Sequence, residues 1–336
     1  MNKKIAVAMS GGVDSSVAAA LVKESGAETI GVFMKVYPDS SKGSEKRARK
    51  IAQILNIPFF VLDIKKEFKN KIIDYFLRGY KKGITPNPCV LCNKEIKFDV
   101  LLKEVKKMGV DFLATGHYAR MVKQKLLKAK DKKKDQTYFL WQLNQRKLKH
   151  ILFPVGGYTK KQVKDLAKEF KLPILDIQES QEVCFIKNTC NDFLLKNLKK
   201  NPGNIINTRG EIIGKHNGLW FYTIGQRKGI DISGKKPLYV LKKDIKKNTL
   251  IVTENKKELE KKELIVKNIN WISREKPKLP LKVMVKIRYR SSLSRATIIK
   301  DVMYKVVFDK PQRAITSGQS VVFYKGLEVL GGGIIL

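Results

Sequence analysis

Three stretches of this 336-residue chain hold residue types at spacings that can do chemistry. The first is Ser10-Gly11-Gly12-Val13-Asp14-Ser15-Ser16. Apolar residues 5–9 precede it, and residues 17–22 follow with helical character, so the stretch reads as a strand, a glycine turn and a helix N-terminus. Such a turn holds phosphate: glycine lets the backbone approach an anion without a Cβ, and serine hydroxyls and unpaired helix N–H groups donate to it. Asp14 is itself an anion among these donors, which implies an intervening cation, most simply Mg²⁺. The second stretch runs from Gly83 to Phe98 through Thr85-Pro86-Asn87-Pro88-Cys89-Val90-Leu91-Cys92-Asn93-Lys94. Two prolines stiffen a loop that delivers Cys92 to a helix start, where the helix terminus, Lys94 and Lys97 favour thiolate. The Cys89-x-x-Cys92 spacing suits metal binding or thiol chemistry. The third stretch, Glu179 to Ile186, puts Cys184 in a short apolar run, which alone describes a core cysteine better than a reactive one. Cys190 has no chemical setting and reads as structural.

The first stretch lacks Gly-Lys-Ser/Thr and the Gly-x-Gly-x-x-Gly spacing, so it is neither a Walker A loop nor a dinucleotide fingerprint. It resembles the pyrophosphate loop (PP-loop) of ATPases that split ATP into AMP and pyrophosphate.

These residues need a scaffold. Strands are expected at 5–9, 29–36, 59–64 and 111–114, and helices at 13–25, 44–55, 67–80, 94–108 and 160–170. This alternation is α/β, with a parallel sheet between helical layers, and ligands bind such sheets at the carboxyl ends of strands. The glycine turn and Thr115-Gly116-His117 both fall at such ends. Near Asn201-Pro202-Gly203 the pattern changes to short β-rich runs separated by turns. The expected organisation is a catalytic α/β domain over 1–200, a small β-rich domain over 201–262 and a C-terminal β-barrel over 263–336.

The net charge of +38, from 69 basic and 31 acidic residues spread along the chain, points to a polyanion such as nucleic acid. A coding bias toward lysine can load a surface in the same way, so charge supports this reading without proving it. Hydrophobic content of 43% fits a globular chain, and no apolar run approaches the ~18 residues of a membrane span. The basic start followed by residues 5–9 imitates an export signal, but the apolar part is short and runs into the glycine turn. A cytoplasmic monomer without membrane contact is expected. Four cysteines and three histidines exclude a disulfide scaffold and a histidine-rich metal site.

Residues 8–15, 31–35, 85–98, 114–120, 134–140, 180–186, 216–218, 222–229, 288–290, 318–319 and 331–333 together resemble the bacterial tRNA-specific 2-thiouridylases, which make 2-thiouridine at the wobble position of certain tRNAs. The resemblance covers nearly the whole chain. It implies that Ala8, Met9, Ser10, Gly11, Gly12, Val13, Asp14 and Ser15 hold ATP, with Met34 and Gly116 lining the nucleotide and Mg²⁺ present. It implies that Cys184 carries a persulfide and that Cys92 is the nucleophile and resolving thiol, with a transient Cys92–Cys184 disulfide. Asn87, Pro88 and Cys89 would touch the target base. His117, Lys134, Asp135, Gln136, Arg288, Tyr289 and Gln319 would contact tRNA, and a relay protein or cysteine desulfurase would donate sulfur.

Two features depart from the family pattern. Many members have Asp where this chain has Cys89, which opens an alternative in which Cys89, Cys92 and Cys184 hold an iron–sulfur cluster with one open iron site. The link after Tyr37 is short, and residues 41–49 are basic where acidic character is usual. A different PP-loop tRNA-modifying ligase would not need Cys92 and Cys184. A non-catalytic RNA-binding protein would not need Asp14 and Ser15.

Overall fold

The computed structural model describes residues 3–36, 42–173, 183–232, 236–273 and 275–336. Glu179, Ser180, Gln181 and Glu182 of the third stretch and residues 37–41 of the short link lie outside these ranges. The N-terminal part is built on a five-stranded parallel sheet in the order Phe59–Asp63, Glu28–Lys35, Lys4–Ala8, Phe112–Thr115, Ile151–Leu152. Its central strands read as continuous apolar runs because both faces are covered. Val7 and Phe33 face a layer made by the helices Val13–Glu24, Lys42–Ile54 and Lys160–Glu169. Ala6, Ile30, Val32 and Leu113 face Phe98, Leu101, Leu102 and Val105 of the helical run 88–107.

Two expected helices differ in detail. The one expected at 67–80 spans 65–81 and contains a wider π-type turn at Lys69–Ile73. The one expected at 94–108 starts earlier, at Pro88, because Asn87 caps its end and proline suits the first helical position. Cys92 therefore closes the first turn, Pro88–Cys92, instead of opening the helix. A π-type stretch, Asn93–Leu101, follows and is broken at Phe98 (φ −104°, ψ 19°).

Beyond the catalytic sheet, four short strands pair in the order Tyr239–Asp244, Thr249–Thr253, Gly203–Ile206, Ile212–His216. Six further strands close into a barrel: Glu260–Trp271, Tyr304–Arg313, Ser294–Lys300, Leu281–Lys286, Ser320–Lys325 and Glu328–Ile335, the last returning to pair with the first. The hairpin Ala119–Val122/Lys125–Lys128 leaves the N-terminal sheet and extends the barrel, with Leu127 opposite Glu328. Fully buried Trp141 donates Nε1–H to Ser320 Oγ at 3.0 Å, and Asn270 Nδ2 donates to the carbonyls of Trp141 and Leu143. Val322, Tyr324 and Val329 of the barrel share one core with the parallel sheet, so this seam is a packed interface and not a linker. Among the described residues, no helix is long and apolar enough to cross a membrane.

Candidate functional site

The sheet grows outward from Lys4–Ala8 first on one side and then on the other, so its topological switch point lies between Lys4–Ala8 and Phe112–Thr115. The glycine turn and Gly116 meet there. A Cβ on Gly116 would sit 2.6 Å from the Ser15 backbone nitrogen, so only glycine permits this approach. Gly11 has φ 75°, and a Cβ on it would run into the Ser44 carbonyl. Arg47 Nε donates to the Gly11 carbonyl at 3.3 Å, so the basic segment after the short link helps to shape the turn. Ser10 N–H donates to Ser15 Oγ at 3.1 Å, and Ser15 and Ser16 Oγ both donate to the Gly12 carbonyl. Gly12 caps the helix Val13–Glu24 without a side chain, which leaves its first turn open to an anion. Ala8, Met9 and Met34 stand at or just beyond the carboxyl ends of the two neighbouring strands.

Asp14 has a side-chain cation of the protein beside it. Lys160 Nζ lies 2.6 Å from Asp14 Oδ1, and Tyr118 Oη donates to the same oxygen at 2.7 Å. Lys160 opens the helix Lys160–Glu169 behind a Thr159–Gln162 capping box. Its backbone N–H donates to Asp131 Oδ2 at 3.0 Å, and this bond is the main reason that the Asp131 carboxyl titrates low.

The thiols converge from two segments. Asn87 Oδ1 accepts from Val90 N–H at 3.4 Å and so starts the turn that carries Cys89 and Cys92. Phe185 is 3% exposed and lies against Phe68, Phe76 and Phe193, with ring centroids 5.3–5.9 Å apart. Leu91, Cys92, Val183 and Cys190 pack on the same cluster. This anchor brings exposed Cys184 within electrostatic reach of half-buried Cys89 and Cys92, so Cys184 is not a core cysteine. Cys190 donates Sγ–H to Tyr80 Oη at 3.6 Å, in keeping with a structural role.

Cys92 does not rest as the expected thiolate. Burial pushes Cys92 up to about 12 and Cys89 up to about 11, and it raises Cys184 as well; Lys97 pulls all three the other way. The helix terminus and the lysines are outweighed because removing a thiolate from water costs more than they return. All four cysteines are free thiols. Among the described residues, no three His, Cys, Asp or Glu side chains are grouped to hold a metal ion, so the cluster alternative is not favoured.

Buried His117 links the strand end to this group. Thr115 Oγ1 lies 2.7 Å from its Nδ1 and Lys97 Nζ lies 3.3 Å from its Nε2. Burial, and then Lys97, hold its pKa well below the usual value, so the ring is neutral at pH 7. An ammonium only donates, so Nε2 accepts and Nδ1–H is assigned as the donor to Thr115 Oγ1.

The loop before Cys89 is gripped by both β-rich parts. Gln319 Nε2 donates to the Thr85 carbonyl at 2.9 Å, and Thr85 N–H donates to the Ser317 carbonyl at 3.0 Å. Thr85 Oγ1 lies 3.4 Å from Thr223 Oγ1, and a Cβ on Gly83 would strike Ile245. Asn87 hydrogen-bonds Tyr138, whose hydroxyl donates to the Ser320 carbonyl at 2.9 Å. Arg288 Nη2 donates to the Ala314 carbonyl and to Thr316 Oγ1, and Tyr289 stacks on Phe139 with ring centroids 4.5 Å apart. Gln319 thus stands in the seam between barrel and cysteine loop, Tyr289 packs on Phe139, and Arg288 is held within the barrel. Asp135 turns inward to Ala129 N–H and Thr137, and Gln136 Oε1 accepts from Tyr118 N–H. Lys160, Tyr118, Tyr138 and Thr85 belong to the site although no motif marks them individually for these roles.

A glycine turn at the switch point of a parallel sheet, with the β-rich parts closing on a cysteine loop beside it, defines a nucleotide-binding α/β domain fused to β-rich modules. Family models match in that order: a tRNA methyl transferase HUP domain over residues 3–188, a tRNA methyl transferase PRC-barrel domain over 191–254 and an aminomethyltransferase beta-barrel domain over 261–335. The tRNA-specific 2-thiouridylase MnmA of Clostridioides difficile is 46% identical, covering 100% of this chain and 98% of its own length. That of Halothermothrix orenii is 47% identical over 99% and 98%. The chain belongs to the tRNA-specific 2-thiouridylase family.

Proposed function

We propose that the chain is a tRNA-uridine 2-sulfurtransferase that uses ATP to activate C2 of the wobble uridine and delivers sulfur from a persulfide on Cys184. The observation that supports this reading is the packing of Phe185 on the cluster that holds Cys92, with its neighbour Cys184 within electrostatic reach of Cys89 and Cys92. A methyl transferase, the word in two of the matching family descriptions, has no use for a turn that holds ATP phosphates beside its thiols. Thiolation uses both.

The C2 oxygen of uridine is a poor leaving group. Its attack on the α-phosphate of ATP expels pyrophosphate and leaves an adenylate at C2. Residues 8–15 would hold the phosphates, with Lys160 balancing Asp14 and Gly116 keeping the space open; Met34 would lie along the adenosine. Asp14 is the carboxylate in the turn that would hold Mg²⁺, which when bound would neutralise phosphate charge. The terminal persulfide sulfur attacks C2 and AMP departs. Cys92 thiolate then attacks Cys184 Sγ, leaving sulfur on C2 and a Cys92–Cys184 disulfide. A two-electron thiol reductant resets the pair. In a second route, Cys92 first releases the terminal sulfur as sulfide, which attacks C2, and the same disulfide results.

The base must leave the anticodon stack to arrive at Asn87, Pro88 and Cys89. The +38 charge supports binding to the anticodon stem–loop, with Lys134, Gln136, Arg288, Tyr289 and Gln319 as candidate contacts; His117 and Asp135, also expected to touch tRNA, are buried and would act from beneath that surface. A relay protein or desulfurase would load Cys184, which is exposed as loading requires. A cytoplasmic monomer is the setting we assign. The test is nucleoside mass spectrometry of tRNA incubated with the protein, ATP and a persulfide donor. One 2-thiouridine per AMP supports the reading; AMP without thiolated uridine overturns it.

A further inference from the structure

Lys97 is half-buried in the π-type stretch Asn93–Leu101, five residues after Cys92. In an α-helix five residues turn through about 500°, which sets residue i+5 some 140° around from residue i. A π-type turn, bonded from i to i+5, brings residue i+5 back toward the side of residue i. The carboxylates of the same stretch are engaged elsewhere: Glu95 pairs with Lys71 and Lys94, and Asp99 with Lys103 and Lys147. The ammonium of Lys97 is steered by Nε2 of His117 at 3.3 Å, and His117 is fixed in turn by Thr115 Oγ1 at 2.7 Å. Thr115 ends the strand that leads to Gly116, so the same element that shapes the phosphate turn orients this lysine. Among the described residues, Cys89, Cys92, Cys184 and His117 lie within electrostatic reach of Lys97.

We infer that Lys97, oriented by His117, is the built-in counter-charge for ionised sulfur in this site, serving the Cys92 thiolate and the sulfur anion on Cys184. The persulfide form of that anion rests on the thiolation reading above; the effect on the Cys92 and Cys184 thiols does not. His117 acts as a positioning residue because its neutral ring accepts the ammonium and holds it near the sulfurs. Lysine suits this role because a compact charge on a flexible stem can follow the negative charge as it passes between Cys184 and Cys92.

The test needs neither tRNA nor ATP. Iodoacetamide alkylation of each cysteine in the full-length protein is followed by mass spectrometry from pH 7 to 10. Lys97→Met is expected to slow alkylation at Cys92 and Cys184 about tenfold at pH 8.5 and to move both profiles about one unit up, since thiolate fraction falls tenfold per unit of pKa. Lys97→Arg should restore most of the rate. His117→Leu should slow both sites by a smaller factor and add nothing in the Lys97→Met background. Wild-type profiles at both cysteines in Lys97→Met overturn the proposal. If that variant does not fold, Lys97→Gln carries the same expectation, and an unchanged profile there is equally fatal. A protein that fails to thiolate tRNA yet shows the alkylation shift would refute the sulfurtransferase reading and leave the role of Lys97 standing.

Discussion

Lys160 reaches the first turn of the chain from 146 residues away and sets its Nζ 2.6 Å from Asp14 Oδ1. The pair leaves a phosphate turn whose one acidic side chain is neutralised by the protein's own cation. ATP phosphates can therefore approach the serine hydroxyls and helix N–H groups without facing a bare carboxylate.

Lys160→Met removes that cation. Hydrogen bonds to charged groups contribute about 1.5–3 kcal/mol, so ATP affinity should fall roughly ten- to hundredfold. Titration calorimetry with ATP, and with tRNA as a control that should be unchanged, checks this. Wild-type ATP affinity in a folded variant would contradict the role.

Gly116→Val tests the other wall of the turn. Its Cβ would press on the Ser15 backbone nitrogen, which has no side-chain freedom to move aside. ATP binding should be lost while tRNA binding by the β-rich parts persists, as read by filter binding. Retained ATP affinity would show that the turn can open.

Much of this is legible in the sequence, for physical reasons. The glycine turn, the strands around it and the Cys92 loop are local patterns that depend on neighbours within a few residues. Lys160 is hidden because 69 Lys and Arg residues give no one lysine a signal and its partner lies 146 residues away; Lys97 is marked by its place near Cys92, but its pairing with His117, 20 residues on, is not. The π-type stretch after Cys92 reads as a plain helix because hydrophobic spacing does not resolve a widened turn. The hairpin Ala119–Val122/Lys125–Lys128 escapes notice because four-residue strands carry too little alternation, and its barrel partner comes about 200 residues later. The thiolate expected at Cys92 fails because local charge is visible in sequence and burial is not.

The raised thiols make a pH prediction. In the folded chain Cys92 and Cys89 hold their protons to about 12 and about 11, whereas unfolded thiols titrate near 8.5. Alkylation of Cys92 should climb without a plateau from pH 7 to 10. Because the unfolded chain loses these protons first, stability is full below about pH 8.5 and declines as pH rises toward the folded values. A plateau near pH 8 in the alkylation profile would contradict the burial account.

Binding of tRNA should weaken steeply with salt. Six to ten phosphate contacts release enough counterions to cost roughly 10³–10⁵ in affinity between 50 and 200 mM salt. Filter binding across that range measures it. A nearly flat response would show that most of the +38 charge does not meet RNA.

The most direct test of the central claim is the 2-thiouridine content of tRNA after reaction with Cys184→Ser and Cys92→Ser proteins, quantified by mass spectrometry beside pyrophosphate release. Both variants should fall to background thiolation while still releasing pyrophosphate in a tRNA-dependent way, since the phosphate turn is intact in each. Full 2-thiouridine formation by either variant would contradict sulfur relay through this cysteine pair.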